Sequence, residues 1–197
     1  QCGAMGSLGL ITEVSIKVLP EFKAGHTLSF EMTAEAALEA MLRWANLSLP
    51  ITGMSHMQGI LYVRLQGGES GVASASQFLG GATLTPKVAE QFWQSIREGS
   101  ALQPQHDQTL WRWSGSSDRP LHTLPSTALI NWAGAERWAL TQSSNCPADD
   151  LIQYQGGDRL AEVYGATSAP QQALQQRIKH AFDPHGILNA GRLYSWM

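Results

Sequence analysis

Val14, Ile16 and Val18 alternate with Glu13, Ser15 and Lys17, and Pro20 follows. Successive side chains of an extended chain point to opposite faces, so strict alternation gathers the apolar ones on one side. The segment from Leu10 therefore predicts a half-buried strand, closed by a proline that cannot donate to a sheet ladder. The fold must contain a sheet.

Further periodicities follow. Leu28, Phe30 and Met32 share one face of a second predicted strand, from about His26 to Met32. Thr33 then has N-cap chemistry, and Leu38, Met41, Leu42 and Ala45 fall at helical spacing behind it. Leu49 to Gly53, with Pro50, reads as a turn region. Leu61, Val63 and Leu65 form one face of a third strand, which Gly67 and Gly68 close. A short helix carries Val72, Ala75 and Leu79 and ends at Gly80-Gly81. Thr85 and Pro86 open another, with Val88, Phe92 and Ile96 on its expected buried side. Strands are predicted around Leu110 to Ser114, Ala128 to Ala133 and Glu136 to Leu140, the last two joined by a tight turn at Gly134-Ala135. Residues 143–169 read as loop. A final helix starts at Ser168-Ala169-Pro170, shows Leu174, Ile178, Ala181 and Phe182 on one face, and stops at Asp183-Pro184. No fixed-period repeat is present. The expected class is α+β: a mostly antiparallel sheet with helices on one face, around a split β-α-β (ferredoxin-like) core.

Charged residues make up 15% of the 197-residue chain, against about 25% in a usual soluble domain. Some surface is therefore expected to be covered by something else. The net charge of -3 and the scattered basic residues argue against a nucleic-acid partner. Cys2 and Cys146 offer no metal spacing and read as free thiols of a reducing, cytoplasmic compartment. No apolar run approaches the roughly 20 residues of a transmembrane segment, and no secretory signal opens the sequence. The chain starts at Gln1, and residues 1–7 read equally as native sequence or as a cloning remnant.

Gly67-Gly68-Glu69-Ser70-Gly71 lacks the Lys-Ser/Thr of a P-loop and the glycine spacing of a dinucleotide fingerprint, so it reads as a turn. The six histidines never approach metal-ligand spacing, and no nucleophile elbow exists, so no metal site and no hydrolase are expected. Trp111, Trp113, Trp132 and Trp138 on or beside strands read mainly as core, with one or two available to line a face that meets a cofactor or partner. Arg64 and Arg137 stand inside apolar strands. A partly buried arginine requires a carboxylate or another anion, so either ion pairs or an anionic substrate would account for them.

The opening Gly6-Ser7-Leu8-Gly9-Leu10-Ile11-Thr12-Glu13-Val14 and the closing Phe182-Asp183-Pro184-His185-Gly186-Ile187-Leu188-Asn189-Ala190-Gly191-Arg192-Leu193 resemble the vanillyl-alcohol-oxidase type of flavoenzyme. The first looks like the last strand of the FAD-binding domain, the second like that family's terminal segment. Leu65-Gln66-Gly67-Gly68-Glu69, Leu124-Pro125, Leu129 to Trp138 and Gly191-Arg192-Leu193-Tyr194 are similar to the FAD-binding E subunits of bacterial glycolate oxidases.

That resemblance implies a C-terminal cap domain over residues 21–182, with 1–20 ending an FAD-binding domain and 183–197 returning to the flavin side. It implies oxidation of a small 2-hydroxy acid, glycolate to glyoxylate, with FAD as cofactor. The implied partners are a second flavin subunit and an iron–sulfur subunit leading to quinone, at the cytoplasmic face of the inner membrane. Gly9, Ile11, Asn189 and Gly191 become the expected FAD-contacting residues, and Arg64, Arg137 and Arg192 the expected substrate-binding ones. Catalytic residues stay unassigned, because the histidine-rich motif of the related catalytic subunits is missing. The glycine-rich pyrophosphate-binding segment is also missing, so this stretch alone is expected to hold no FAD tightly and to be inactive. The competing readings are an interaction module without enzymatic activity and a small-molecule sensor.

Overall fold

The computed structural model describes residues 2–18, 20–124, 127–142, 150–157, 163–164 and 167–197. Leu19, Pro125, Cys146 and part of the expected loop at 143–169 lie outside the described residues.

The first half follows the order β1 (Ala24–Glu31), α1 (Ala34–Ala45), β2 (Ile51–Met57), β3 (Ile60–Gly67), α2 (Glu69–Leu79) and β4 (Ala82–Thr83). After α3 (Pro86–Arg97) come β5 (Thr109–Ser114), β6 (Thr127–Asn131), β7 (Glu136–Thr141), β8 (Ile152–Gln155) and α4 (Ala169–Phe182). Among the described residues eight strands form one sheet, ordered β4-β1-β3-β2-β6-β7-β5-β8, and the pairings are antiparallel. The first half is a β-α-β-β-α-β unit; β6 extends it through β2 and carries the second half on the same sheet. The α+β class is the expected one.

Alternation sorts the faces. Leu28, Leu61, Val63 and Leu65 point to one side, where Ala37 and Met41 of α1 and Val72 and Ala75 of α2 bury them. The Thr33 hydroxyl caps α1 by accepting from the Ala36 N–H at 3.3 Å. Gly81 turns the chain from α2 into β4 with φ +85, where a Cβ would meet the Phe30 ring at 2.6 Å. A smaller core of Trp111, Trp113, Leu124 and Leu151 lies under the second half.

Several expectations are corrected. The helices do not all cover one face: α3 lies on the opposite side, with Phe92 stacked on Tyr62 at 3.8 Å. The reason is that β3 is apolar on one face and carries Tyr62 and Arg64 on the other, so both faces gain contacts. Val88, expected on the buried side of α3, is exposed. β2 occupies part of the expected turn region, and β4 and β8 were not anticipated.

Residues 10–18 form no strand, although their alternation is intact. Among the described residues their backbone has no hydrogen-bond partner, and Ile16 is 77% exposed. A ladder needs a second strand, and no described strand is offered to it. The apolar stripe of α4 is likewise uncovered, with Leu174 at 55% and Phe182 at 56% exposure. What anchors that helix is the buried Lys179.

Candidate functional site: an arginine and tryptophan cleft and a junction of the chain ends

On the α3 side of the sheet lies an open cleft of about 670 Å³. One wall comes from β3 and α3. The guanidinium of Arg64 lies 4.8 Å from the ring centroid of Trp93, and Trp93 is fixed by its indole N–H donating to Thr27 Oγ1 at 3.0 Å. Arg64 Nε donates to Thr52 Oγ1 at 3.1 Å and Nη2 to the Thr52 carbonyl at 3.2 Å. Gly53 permits this packing, because a Cβ there would stand 3.3 Å from the Trp93 ring.

The other wall is built on β5 and β7. Arg112 and Trp138 are cross-strand partners, and the Arg112 guanidinium lies 5.4 Å from the Trp132 ring and 5.7 Å from the Trp138 ring. Its Nε donates to Glu136 Oε1 at 2.7 Å, while Asn131 Nδ2 donates to Glu136 Oε2 at 2.9 Å. The buried carboxylate thus has both oxygens satisfied, as a buried charge requires. Trp132, Ala133 and Gly134 are three consecutive residues of positive φ, at 48°, 53° and 94°. A bulky side chain rarely adopts that region, and here it leaves the Trp132 indole 59% exposed at the cleft.

The two walls differ in charge balance. Arg112 is paired with Glu136, but among the described residues Arg64 takes part in no ion pair. Burial, and then the charge of Arg97, lower Arg64 below the usual guanidinium range. Arg97 also lines the cleft; among the described residues its ion-pair partner is Glu98, 3.9 Å away with both side chains exposed.

The second constellation joins the chain ends. The Lys179 ammonium donates to the Ser7 carbonyl at 2.7 Å, to Asp183 Oδ2 at 2.7 Å and to the Leu188 carbonyl at 2.6 Å. Three acceptors match its three N–H donors. Asp183 also accepts from the Ile187 and Leu188 N–H groups, and Lys179 and these amides hold its carboxyl down to about 2. Next to this node Asn189, at φ 42°, donates from Nδ2 to the Met5 carbonyl at 2.7 Å.

The expected FAD-contacting residues gather at this junction in part. Asn189 is in it and Gly191 follows in the same turn, its N–H donating to the Met197 carbonyl at 2.6 Å. Gly9 and Ile11 lie just beyond Ser7 on the unpaired segment. The three arginines expected to bind substrate are dispersed. Arg64 lines the cleft; Arg192 is exposed in the C-terminal turn. Arg137, 1% exposed, faces away from Trp138, under Trp113. It donates to the carbonyls of Gly134, Pro120, Ser117 and Arg119, which occupies four of its five N–H donors in holding loops together. The sequence reading missed Trp93, Arg97, Arg112, Glu136 and Lys179. Two signals were present: Arg112 between Trp111 and Trp113, and Lys179 with Asp183 at i,i+4 spacing.

Among the described residues no group of three or more His, Cys, Asp and Glu side chains could hold a metal, and no helix is long and apolar enough to cross a membrane. No family model matches the chain, and no solved structure matches it. The chain is 36% identical over 198 residues to the glycolate oxidase subunit GlcE of Escherichia coli (strain K12), an alignment covering 98% of this chain and 55% of that protein. It therefore spans just over half the length of that relative. Over almost all of its own length, then, the chain is similar to a glycolate oxidase subunit, as its end motifs and middle segments implied.

Proposed function

We propose that the chain is the cap and docking part of a flavin-linked 2-hydroxy-acid oxidase subunit, acting on glycolate in a larger assembly. The observation that carries this reading is the similarity to GlcE across 98% of the chain. Two features of the fold support it. The opening and closing segments, both expected to approach FAD, meet at Lys179 and Asn189. The alternating segment at 10–18 and the apolar stripe of α4 lie uncovered, as suits surfaces that pack against the remainder of a longer protein.

The residues fit FAD in a limited way. Among the described residues the backbone N–H and C=O groups of Gly9 and Ile11 have no partner and can be offered to a ligand, while Asn189 and Gly191 shape the turn beside them. The glycine-rich segment that would cradle the pyrophosphate is not among these residues, so tight binding falls to other parts of the protein. When bound, the flavin supplies the hydride acceptor for the acid. Arg192, in the C-terminal turn with Asn189 and Gly191, is the residue proposed to attract the acid's carboxylate. The electron-accepting partners in this reading are a second flavin subunit and an iron–sulfur subunit.

The test is to co-express the full-length protein with its neighbouring subunits and to measure flavin absorbance, iron–sulfur absorbance and glycolate-dependent reduction of a dye. Flavin at stoichiometric level in the assembly, and none in residues 1–197 expressed alone, is the expected result. A full-length assembly free of flavin would overturn the proposal.

A further inference from the structure

We propose that Arg64 and Arg97 form a binding site for a short dicarboxylate, at the edge of the cleft between α3 and the sheet. The site is independent of the flavin reading, whose substrate carries one carboxylate.

Orientation comes first. Arg64 is held from two sides: its Nε and one Nη2 hydrogen are committed to Thr52, and its guanidinium carbon lies over the Trp93 ring, 4.8 Å from the centroid. Trp93 is tied in turn to Thr27, and Gly53 leaves room for its ring. A long side chain is thereby pre-organised without a carboxylate partner, and its Nη1 edge remains for a ligand. Planar guanidinium edges match carboxylates in a two-pronged geometry, and pre-organisation lowers the entropy lost on binding.

Charge comes second. The cleft carries Arg64, Arg97 and Arg112 against one buried carboxylate, Glu136, which already pairs with Arg112. Arg64, Trp93 and Arg97 line both this cleft and a second one of about 480 Å³, where Glu90 is a further carboxylate. Two cations from different elements, one rigid and one on the exposed last turn of α3, suit a ligand with two separated negative groups. At about 670 Å³ the cleft falls within the range of small-molecule sites.

The experiment is calorimetric titration of the full-length protein with malonate and oxalate, with acetate and glycolate as singly charged controls. Malonate should bind at least about tenfold more tightly than acetate, and Arg97→Gln should bring malonate to the acetate level while leaving acetate unchanged. Arg64→Met should weaken both. Arg97 is exposed, so its substitution leaves folding intact, and circular dichroism checks this for Arg64→Met. Equal affinities for malonate and acetate, no binding of either, or malonate affinity unaffected by Arg97→Gln would each overturn the proposal. Flavin absorbance of the same sample reports separately on the proposed oxidase role.

Discussion

Lys179 and Ser7 stand 172 positions apart in sequence and are joined by a hydrogen bond of 2.7 Å from the ammonium to the backbone carbonyl. The contact uses a main-chain group, and the buried Ser7 is held in turn by its N–H and hydroxyl, both donating to the Ala4 carbonyl. Asp183 completes the node by neutralising the lysine inside it.

Acid should open this junction over a defined window. The Asp183 carboxyl sits at about 2, against about 3.9 for an unperturbed aspartate. A carboxylate depressed in the folded state contributes stability that is complete above the unfolded value and is lost as pH falls through the folded one. The urea midpoint should therefore fall between about pH 4 and pH 2, and the Leu188 amide resonance should titrate with a midpoint near 2. Asp150 adds to the same acid limb: burial works to raise it, but Arg119 and Trp113 outweigh burial and hold it low. Asp183→Asn should thus remove part of the slope, and an unchanged acid limb in that variant would contradict the assignment.

How much of this was legible in the sequence depended on whether a residue's partner was apolar and local. Leu61, Val63 and Leu65 announced β3, and Thr33 announced the start of α1, because periodicity and capping are local signals. β2 was hidden by Gly53, Ser55 and His56. In the sheet the polar side chains find partners, Ser55 at the Ile130 carbonyl and His56 at the Met32 carbonyl. The alternation of residues 10–18 was read correctly as a pattern, yet a strand also needs a neighbour, and a pattern cannot supply one. In the site, Arg64 was visible as a charge inside an apolar strand. Arg97 and Trp93 were not, since their relation to Arg64 exists only after α3 crosses to the second face.

Arg137 offers a test between ligand binding and structure. Its guanidinium satisfies backbone carbonyls of Ser117, Arg119, Pro120 and Gly134, and each buried acceptor left unpaired costs about 1–3 kcal/mol. Arg137→Met should destabilise the protein by about 3 kcal/mol or more. In a domain of this size that lowers the melting temperature by roughly 6–12 °C. Arg137→Lys should recover little, because an ammonium cannot reproduce the planar fork. A variant with unchanged melting temperature and weakened affinity for small acids would instead return Arg137 to the substrate-binding role expected from sequence.

Gly53 sets the position of Trp93, and two opposing terms decide what its replacement does. Its φ lies outside the left-handed region, so alanine is free of backbone strain and gains about 0.4–1 kcal/mol by restricting the unfolded chain. Against this, the new Cβ lies 3.3 Å from the Trp93 ring, tight enough to shift an indole pinned between Thr27 and Arg64. Gly53→Ala should therefore be close to neutral in urea denaturation while altering tryptophan fluorescence. Gly53→Val adds methyl groups that the indole cannot avoid, and overpacking of that kind costs about 1–3 kcal/mol. The displaced ring would also release Arg64 from its place over the indole, so malonate affinity should fall in Gly53→Val even though no charge has changed. Retained fluorescence and retained affinity in the valine variant would mean that Trp93 does not position Arg64.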